Sequence, residues 1–260
     1  TGAVADGDQI MALLAGRWAD DIGLQCGGSD GFSGITANPA LGVASDMLVA
    51  AGGTSILSET PEIFGAEHLL IARGSPETGA KINAMIDWWR DYTEKNNASL
   101  DNNPSPGNKK GGLTTILEKS LGAVAKGGLS PLAGAFAYAE RIDTTGFVYM
   151  DSPGYDPVAA TGQVASGANL IAFTTGRGSC FGAKPAPSIK LASNSTLFRQ
   201  MPEDMDIDCG VVVDEGVSLE DMGARIYDLL LDTASGKRSK SEEFGYGDNE
   251  FVPWKIGAVL

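Results

Sequence analysis

Four short apolar runs, each ending abruptly in polar or glycine-bearing residues, constrain the fold of this chain most strongly. They span residues 22–26, 54–57, 147–150 and 170–174, and polar turns follow at 27–30, 58–62, 151–154 and 175–178. Between them the hydrophobic period becomes helical, which indicates alternating strands and helices. The sequence therefore predicts an α/β fold with a mainly parallel, Rossmann-like three-layer sheet and helices on both faces. Because parallel strands end along one edge, where ligands of such folds bind, we interpret the four turns as one site.

Capping residues predict where several helices begin. A Ser, Thr or Asn before a proline or an apolar run is typical of a helix N-cap. The predicted N-caps are Asn38, Ser75, Thr115 and Ser218.

Composition narrows the choice of partners. The chain has 260 residues, 43% of them hydrophobic, and a formal net charge of −14. This length suits a single α/β domain over residues 1–260, and so negative a chain is not expected to bind nucleic acid or anionic membranes. No run is long enough for a transmembrane helix, and residues 1–6 lack the features of a signal peptide.

The cysteines and the first residue bear on location and completeness. Three widely spaced cysteines, Cys26, Cys180 and Cys209, match neither a disulfide framework nor a CxxC motif. A reduced, cytoplasmic location is therefore expected. The sequence begins with Thr1 rather than methionine, which suggests a piece of a longer protein.

Residues 96–112 are rich in asparagine, proline and glycine, which leaves little scope for helix or sheet. One interpretation is a linker that divides the chain into two lobes. The other is a loop that offers Ser, Asn and Lys donors to an anionic ligand.

Several long motifs give the chain a resemblance to a known family. Residues 23–34, 102–113 and 173–178 resemble the C-terminal region of the altronate and galactarate dehydratases, and residues 58–63, 67–70 and 249–254 look closer to the altronate branch. The resemblance implies a lyase of hexuronate breakdown that converts D-altronate to 2-dehydro-3-deoxy-D-gluconate. It also implies a divalent metal, Fe²⁺ or Mn²⁺, and an additional N-terminal domain as partner.

The chemistry of such a reaction suggests which residues bind the substrate. Removing water from a 2,3-dihydroxy acid takes a weakly acidic proton from the carbon beside a carboxylate, so charge develops that a cation or several donors must stabilise. Arg177 is predicted to clamp the carboxylate through its planar guanidinium, with an ordinary ion pair as the structural alternative. The predicted substrate-binding residues are Gly28, Ser29, Asp30, Asn103, Ser105, Asn108, Lys110, Thr175 and Arg177.

Five further residues are candidates for acid–base or metal chemistry. Glu59, Lys109 and His68 are predicted to be catalytic, with Lys109 acting as a base if burial lowers its pKa. Cys26 and Glu62 are predicted metal ligands. Structural alternatives remain open: Cys26 as an inert buried thiol, Glu62 as a partner of the helix dipole, Lys109 as a solvated lysine and His68 as a packed or surface residue.

A further turn, at 151–157, could bind sugar hydroxyls or a cation through Asp151 and Asp156, or be a proline-set turn. Other functions also remain open for the whole chain. It could be a sugar-acid binding or regulatory module, or a structural interaction domain, and among enzymes a galactarate dehydratase or a sulfo-lyase relative. A homodimer is one alternative for its assembly.

Overall fold

The computed structural model describes residues 21–100 and 105–255, and the strands within them form one sheet. Its strands run in the order β3-β4-β2-β1-β5-β6-β7, and every neighbouring pair is parallel. The predicted parallel α/β fold is confirmed. The strands are β1 (Asp21–Cys26), β2 (Thr54–Leu57), β3 (Leu132–Phe136), β4 (Gly146–Met150), β5 (Leu170–Thr175), β6 (Ser188–Ala192) and β7 (Ile207–Asp208).

Eleven helices surround the sheet within the described ranges. None of them is both long and apolar enough to cross a membrane. They are α1 (Ala37–Ala50), α2 (Thr60–Ile63), α3 (Glu67–Ile71), α4 (Pro76–Lys95), α5 (Pro106–Lys110), α6 (Ile116–Ala125), α7 (Asp156–Ser166), α8 (Ser195–Gln200), α9 (Val211–Asp214), α10 (Leu219–Ala234) and α11 (Lys240–Phe244).

The sheet is buried on both faces, as a parallel sheet requires. Successive side chains of a strand point to opposite faces, so Phe147 and Tyr149 of β4 join one apolar cluster while Val148 and Met150 join another. Helices α1, α4 and α10 contribute to the first cluster and α7 to the second. The result is a sandwich of helices, sheet and helices.

The four apolar runs predicted as strands are β1, β2, β4 and β5. Strand β1 lies between β2 and β5, so the chain builds the sheet outward on both sides of β1. Ligands of open α/β sheets bind where the strand order reverses in this way, beyond the carboxyl ends of the strands. Cys26 is the last residue of β1 and therefore lies at this place.

Three predicted N-caps are confirmed, and one is wrong. The side chains of Ser75, Thr115 and Ser218 each accept a hydrogen bond from the backbone N–H three residues later. Helix α1 instead begins at Ala37, one residue before the predicted cap. The Asn38 amide is used elsewhere, because it donates to the Gly122 carbonyl and accepts from Thr174 Oγ1.

The segment predicted to lack regular structure contains a short helix, so that prediction is corrected. Helix α5 begins after Ser105, whose hydroxyl accepts from Asn108 N while Asn108 Oδ1 accepts from Ser105 N. This reciprocal capping box favours the start of a helix, and so does Pro106 at its first position. Asn103 lies outside the described residues. Strands from both sides of the segment belong to the same sheet.

Candidate active site

A thiol and two carboxylates meet at the carboxyl ends of β1 and β2. Cys26 Sγ donates to Glu62 Oε2 at 3.2 Å and lies 3.9 Å from Glu59 Oε2. All three side chains are buried. The sequence placed these residues in two strand-end turns, and the parallel sheet brings the turns together.

Glu59 adopts a backbone conformation that is unusual for a residue with a side chain. Its φ and ψ angles are 75° and 68°, in the left-handed region. Two contacts to the turn after β4 hold it there: Glu59 N donates to Ser152 Oγ and Thr60 N donates to the Ser152 carbonyl oxygen. Strain of this kind occurs mostly where function fixes the direction of a side chain.

Buried amides beneath the cluster tie β1 to β2. Gln163 Nε2, on α7, donates to the Ile56 carbonyl and to Ser58 Oγ, both at 2.9 Å. Gln25 Nε2 donates to Gln163 Oε1 at 2.9 Å. Since Gln25 and Ser58 immediately precede Cys26 and Glu59, this network fixes how closely those two residues approach.

Helix α6 brings two lysines into the cluster, and neither was predicted as a site residue. Lys119 Nζ donates to Glu62 Oε1, and Lys126 Nζ lies 3.6 Å from Glu59 Oε2. Both lysine side chains are buried. The signal in the sequence is their spacing of seven residues, which places both on one helix face.

Burial and nearby charges shift the pKa values of Glu59 and Glu62 in opposite directions. Burial, reinforced by Glu62, raises the pKa of Glu59 well above its usual value. Burial acts on Glu62 too, but Lys119 and Lys126 outweigh it and lower the pKa of Glu62. Glu62 is therefore the ionised member of the pair, and Glu59 the one that retains a proton most readily.

The same forces act on the thiol and the amines. Burial, with a contribution from Glu62, raises the pKa of the Cys26 thiol, in keeping with its role as a donor to Glu62. Burial acts to lower the pKa of Lys119 and of Lys126, but the negative charges around them prevail and raise both values. Both amines are therefore cationic at neutral pH.

Asp156, in the first turn of α7, faces the same cluster. A Cβ added to Gly27 would meet Asp156 Oδ2 at 2.2 Å, so the carboxyl group lies directly against the backbone next to Cys26. Burial, together with the charge of Glu62, raises the pKa of Asp156 to about 7. Glycine is the residue that allows this close approach.

We expect Asp156→Asn to stabilise the protein at pH 8 by about 2 kcal/mol and to change its stability little near pH 4. The folded-state pKa of about 7 lies above the unfolded value of 3.8, so the parent loses stability as pH rises between them. Asparagine has no such dependence. Urea unfolding at both pH values measures the difference. The exposed control Asp228→Asn should differ from the parent by less than about 0.5 kcal/mol at either pH. A pH-independent effect of Asp156→Asn would contradict the prediction.

The predicted binding loops are joined to one another. Asn108 Nδ2 donates to the Ser29 carbonyl, and Gly28 O accepts from Arg177 N. Gly28 has a φ of 63°. In the turn after β5, Thr175 Oγ1 accepts a hydrogen bond from the N–H of Gly178. These contacts connect the loop after β1 to α5 and to the loop after β5.

Both carboxylate oxygens of Asp30 already accept hydrogen bonds from within the protein. Its Oδ1 accepts from Ser33 N, Ser33 Oγ and Ser193 Oγ, and its Oδ2 accepts from Asn194 Nδ2. Asp30 thus connects the loop after β1 to the loop after β6. Ser105 is likewise occupied in the cap of α5.

Four of the predicted site residues lie at the surface. Arg177 is exposed, and its guanidinium covers α5, since a Cβ on Gly107 would meet Arg177 Nη1 at 2.2 Å. Lys109 and Lys110 are exposed in α5, and His68 is exposed in α3. Within the described part of the chain, no hydrogen bond or ion pair joins any of the four to the buried cluster.

Comparison with known proteins places this arrangement in a family. The C-terminal domain family of the D-galactarate and altronate dehydratases matches residues 21–259. The chain belongs to this family. The dehydratase-family domain defined by that match contains every residue of the buried cluster.

The relatives carry three different names. The chain is 40% identical over 240 residues to an altronate dehydratase of Bacillus subtilis (strain 168), covering 92% of the chain and 48% of that relative. It is 41% identical over 226 residues to a galactarate dehydratase (L-threo-forming) of Escherichia coli (strain K12), covering 86% and 43%. It is 35% identical over 235 residues to a (2R)-sulfolactate sulfo-lyase subunit beta of Chromohalobacter salexigens, covering 89% and 60%. The chain thus spans about half the length of its dehydratase relatives, and the resemblance read from its motifs is confirmed.

The cluster of this dehydratase-family domain could hold a metal ion. One ligand atom from each of Cys26, Glu59 and Glu62 lies within 4.8 Å of the other two. Glu59 Oε1 is buried and has no hydrogen-bond partner among the described residues, as expected of an oxygen whose partner is a ligand. One cysteine sulfur and two carboxylate oxygens are donors that suit a divalent metal ion.

A small pocket adjoins this cluster. Cys26 and Lys119 line it together with Ser33, Gly34 and Glu118. Gly34 is exposed and Glu118 is half-buried, whereas Ser33 is buried.

Proposed function

We propose that this chain is the part of a hydro-lyase that removes water from a sugar acid with the help of a divalent metal. D-altronate is the leading substrate and 2-dehydro-3-deoxy-D-gluconate the product. The observation that supports this most directly is the convergence of Cys26, Glu59, Glu62, Lys119 and Lys126 at the strand ends. Relatives named as altronate and galactarate dehydratases favour the same reaction class.

The charge of the cluster suits an anionic substrate. The chain carries a net charge of −14, which repels a sugar acid in general. Locally, however, the raised pKa values of Cys26 and Glu59 favour their neutral forms, while Lys119 and Lys126 stay cationic. The site therefore offers positive charge where the carboxylate must bind.

The reaction breaks the C2–H bond and the C3–O bond of the acid. A base accepts the C2 proton, and the C3 hydroxyl takes up a proton from an acid and leaves as water. The resulting enol becomes the 2-keto acid. A divalent ion held by Cys26, Glu59 and Glu62 would supply Lewis acidity for both steps. The ammonium groups of Lys119 and Lys126 would stabilise the negative charge that develops on the carboxylate.

Asp156 is our candidate for the proton acceptor. Its carboxyl group lies beside the cluster, and its pKa of about 7 is close to the pH at which such an enzyme operates. Asp156→Asn should therefore combine higher stability at pH 8 with lost turnover. Lys109 and His68, predicted as catalytic from the sequence, lie on the surface, and the proposal gives them no step.

The loops around the cluster would recognise the rest of the substrate. Arg177 remains the proposed clamp for the carboxylate, since its guanidinium is exposed above α5. Lys110 and the loop after β1 lie on the same side. The part of the relatives that this chain does not cover would act as the partner domain and complete the site. The free thiol of Cys26 fits a cytoplasmic location.

The test is an anaerobic assay for 2-keto-3-deoxy acid with Fe²⁺ or Mn²⁺. This chain and an extended version that includes the remaining part of the relatives' length are each given D-altronate, D-galactarate and (2R)-sulfolactate. Product from D-altronate is the expected result. Product from D-galactarate alone would move the proposal to that substrate, which the 41% identity also favours. Release of sulfite or the absence of any product from both versions would overturn it.

A further inference from the structure

Lys126 is a buried cation whose pairing is incomplete. Its side chain is 1% exposed and its Nζ lies 3.6 Å from Glu59 Oε2. Among the described residues, Nζ has no hydrogen-bond partner of ordinary geometry. A buried ammonium has three N–H donors and is costly when these are not satisfied. The position is therefore poor as a purely structural ion pair.

The Lys119–Glu62 pair beside it is different. Lys119 donates a hydrogen bond to Glu62, and Glu62 also accepts from the Cys26 thiol. By contrast, Glu59 Oε1 and Lys126 Nζ both have unsatisfied hydrogen-bonding capacity. Of the two lysine–glutamate pairs, Glu59–Lys126 is thus the one that an entering ligand can separate most easily.

The backbone after α6 fixes where Lys126 lies. A Cβ on Gly127 would come within 2.3 Å of Phe147 Cζ, and one on Gly128 within 2.4 Å of the Gly42 carbonyl oxygen. The two glycines let the end of α6 press against β4 and α1. The backbone of Lys126 therefore lies in the interior, and its side chain extends from there to Glu59.

We infer that Lys126 is an internal counter-ion that provides positive charge at Glu59 and Cys26 in place of a divalent metal, and thereby weakens metal binding. This inference rests on the proposed metal site of the preceding section. The ammonium compensates the buried acidic groups while the ion is absent. When an ion binds, the two like charges repel each other, so metal affinity is set partly by this lysine.

The test is a titration of the metal-free chain with Mn²⁺. The electron paramagnetic resonance signal of free Mn²⁺ measures how much of the ion remains unbound. We expect Lys126→Met to lower the dissociation constant at least about 10-fold, because methionine keeps the length of the side chain and removes its charge. Lys237→Met is the matched control, because it removes one charge from an exposed ion pair with Asp232. That control should stay within about twofold of the parent.

Two further variants separate this inference from the proposed site. Cys26→Ser and Glu62→Gln should each bind Mn²⁺ more weakly than the parent does. If neither does, the proposed metal site is wrong. If both do, and Lys126→Met binds Mn²⁺ as weakly as the parent or more weakly, only the role of Lys126 is wrong. Lys126→Gln provides a second neutral side chain, and urea unfolding with and without Mn²⁺ must show a larger metal-induced stabilisation for either neutral variant than for the parent.

Discussion

Glu59→Gln is expected to reduce the turnover of D-altronate by at least about 1000-fold, with less than about a threefold change in the Michaelis constant. Glutamine resembles the protonated form of Glu59 that burial favours, so the variant should fold as the parent does. It cannot become an anionic ligand. The loss should therefore appear in the chemical step, measured by steady-state formation of the 2-keto-3-deoxy acid in the version of the protein that shows activity.

The matched control for this variant is Glu77→Gln. Glu77 is an exposed residue of α4 whose carboxylate lies 3.9 Å from Lys81 Nζ. Its turnover should remain within about twofold of the parent. If Glu59→Gln retains more than a tenth of the parental turnover, Glu59 does not contact the reacting groups.

Lys119→Met is expected to lower the free energy of unfolding at pH 7.5 by about 3 kcal/mol, the largest stability effect that we predict. Removing one member of a buried ion pair takes away the main compensation of the other charge, and such changes cost about 3–5 kcal/mol. The Lys119 pKa is raised and the Glu62 pKa lowered, so the pair contributes above the unfolded pKa of Glu62 and below that of Lys119. The deficit should therefore shrink as pH falls to 4 and Glu62 takes up a proton.

Urea unfolding at pH 7.5 and pH 4 measures this effect, and an exposed ion pair provides the comparison. Lys95 lies 2.9 Å from Asp91, but both side chains are mostly exposed. Lys95→Met should therefore change stability much less than Lys119→Met does. Equal effects of the two lysine variants would show that burial of the Lys119–Glu62 pair is energetically unimportant.

Strand-end turns allowed much of the site to be predicted from the sequence. Cys26 ends one apolar run, Glu59 and Glu62 lie in the turn after the next, and a parallel sheet aligns such positions along one edge. The N-caps Ser75, Thr115 and Ser218 were equally local signals. What local signals could not provide was the identity of the residues that other elements bring to this edge.

The missed lysines show why. Helix α6 leaves two of its leucines at the surface, since Leu117 and Leu121 are 47% and 46% exposed. Contact between Gly34 and Gly122 brings the helix close through its small residues, so Lys119 faces inward. The hydrophobic period identifies the faces of a helix, but only tertiary packing decides which face is buried. For the same reason, the exposed Lys109 looked a better candidate than Lys119.

The position of β1 has a consequence for how this protein is made. Cys26 and the other residues that could hold the metal lie early in the chain, but Cys26 pairs with Thr174, which the ribosome adds much later. Until β5 emerges, β1 has an unpaired edge and the thiol lacks one wall of its enclosure. Pairings so distant in sequence form slowly. The nascent chain is therefore more vulnerable to oxidation at Cys26 than the finished protein, in which this thiol is buried.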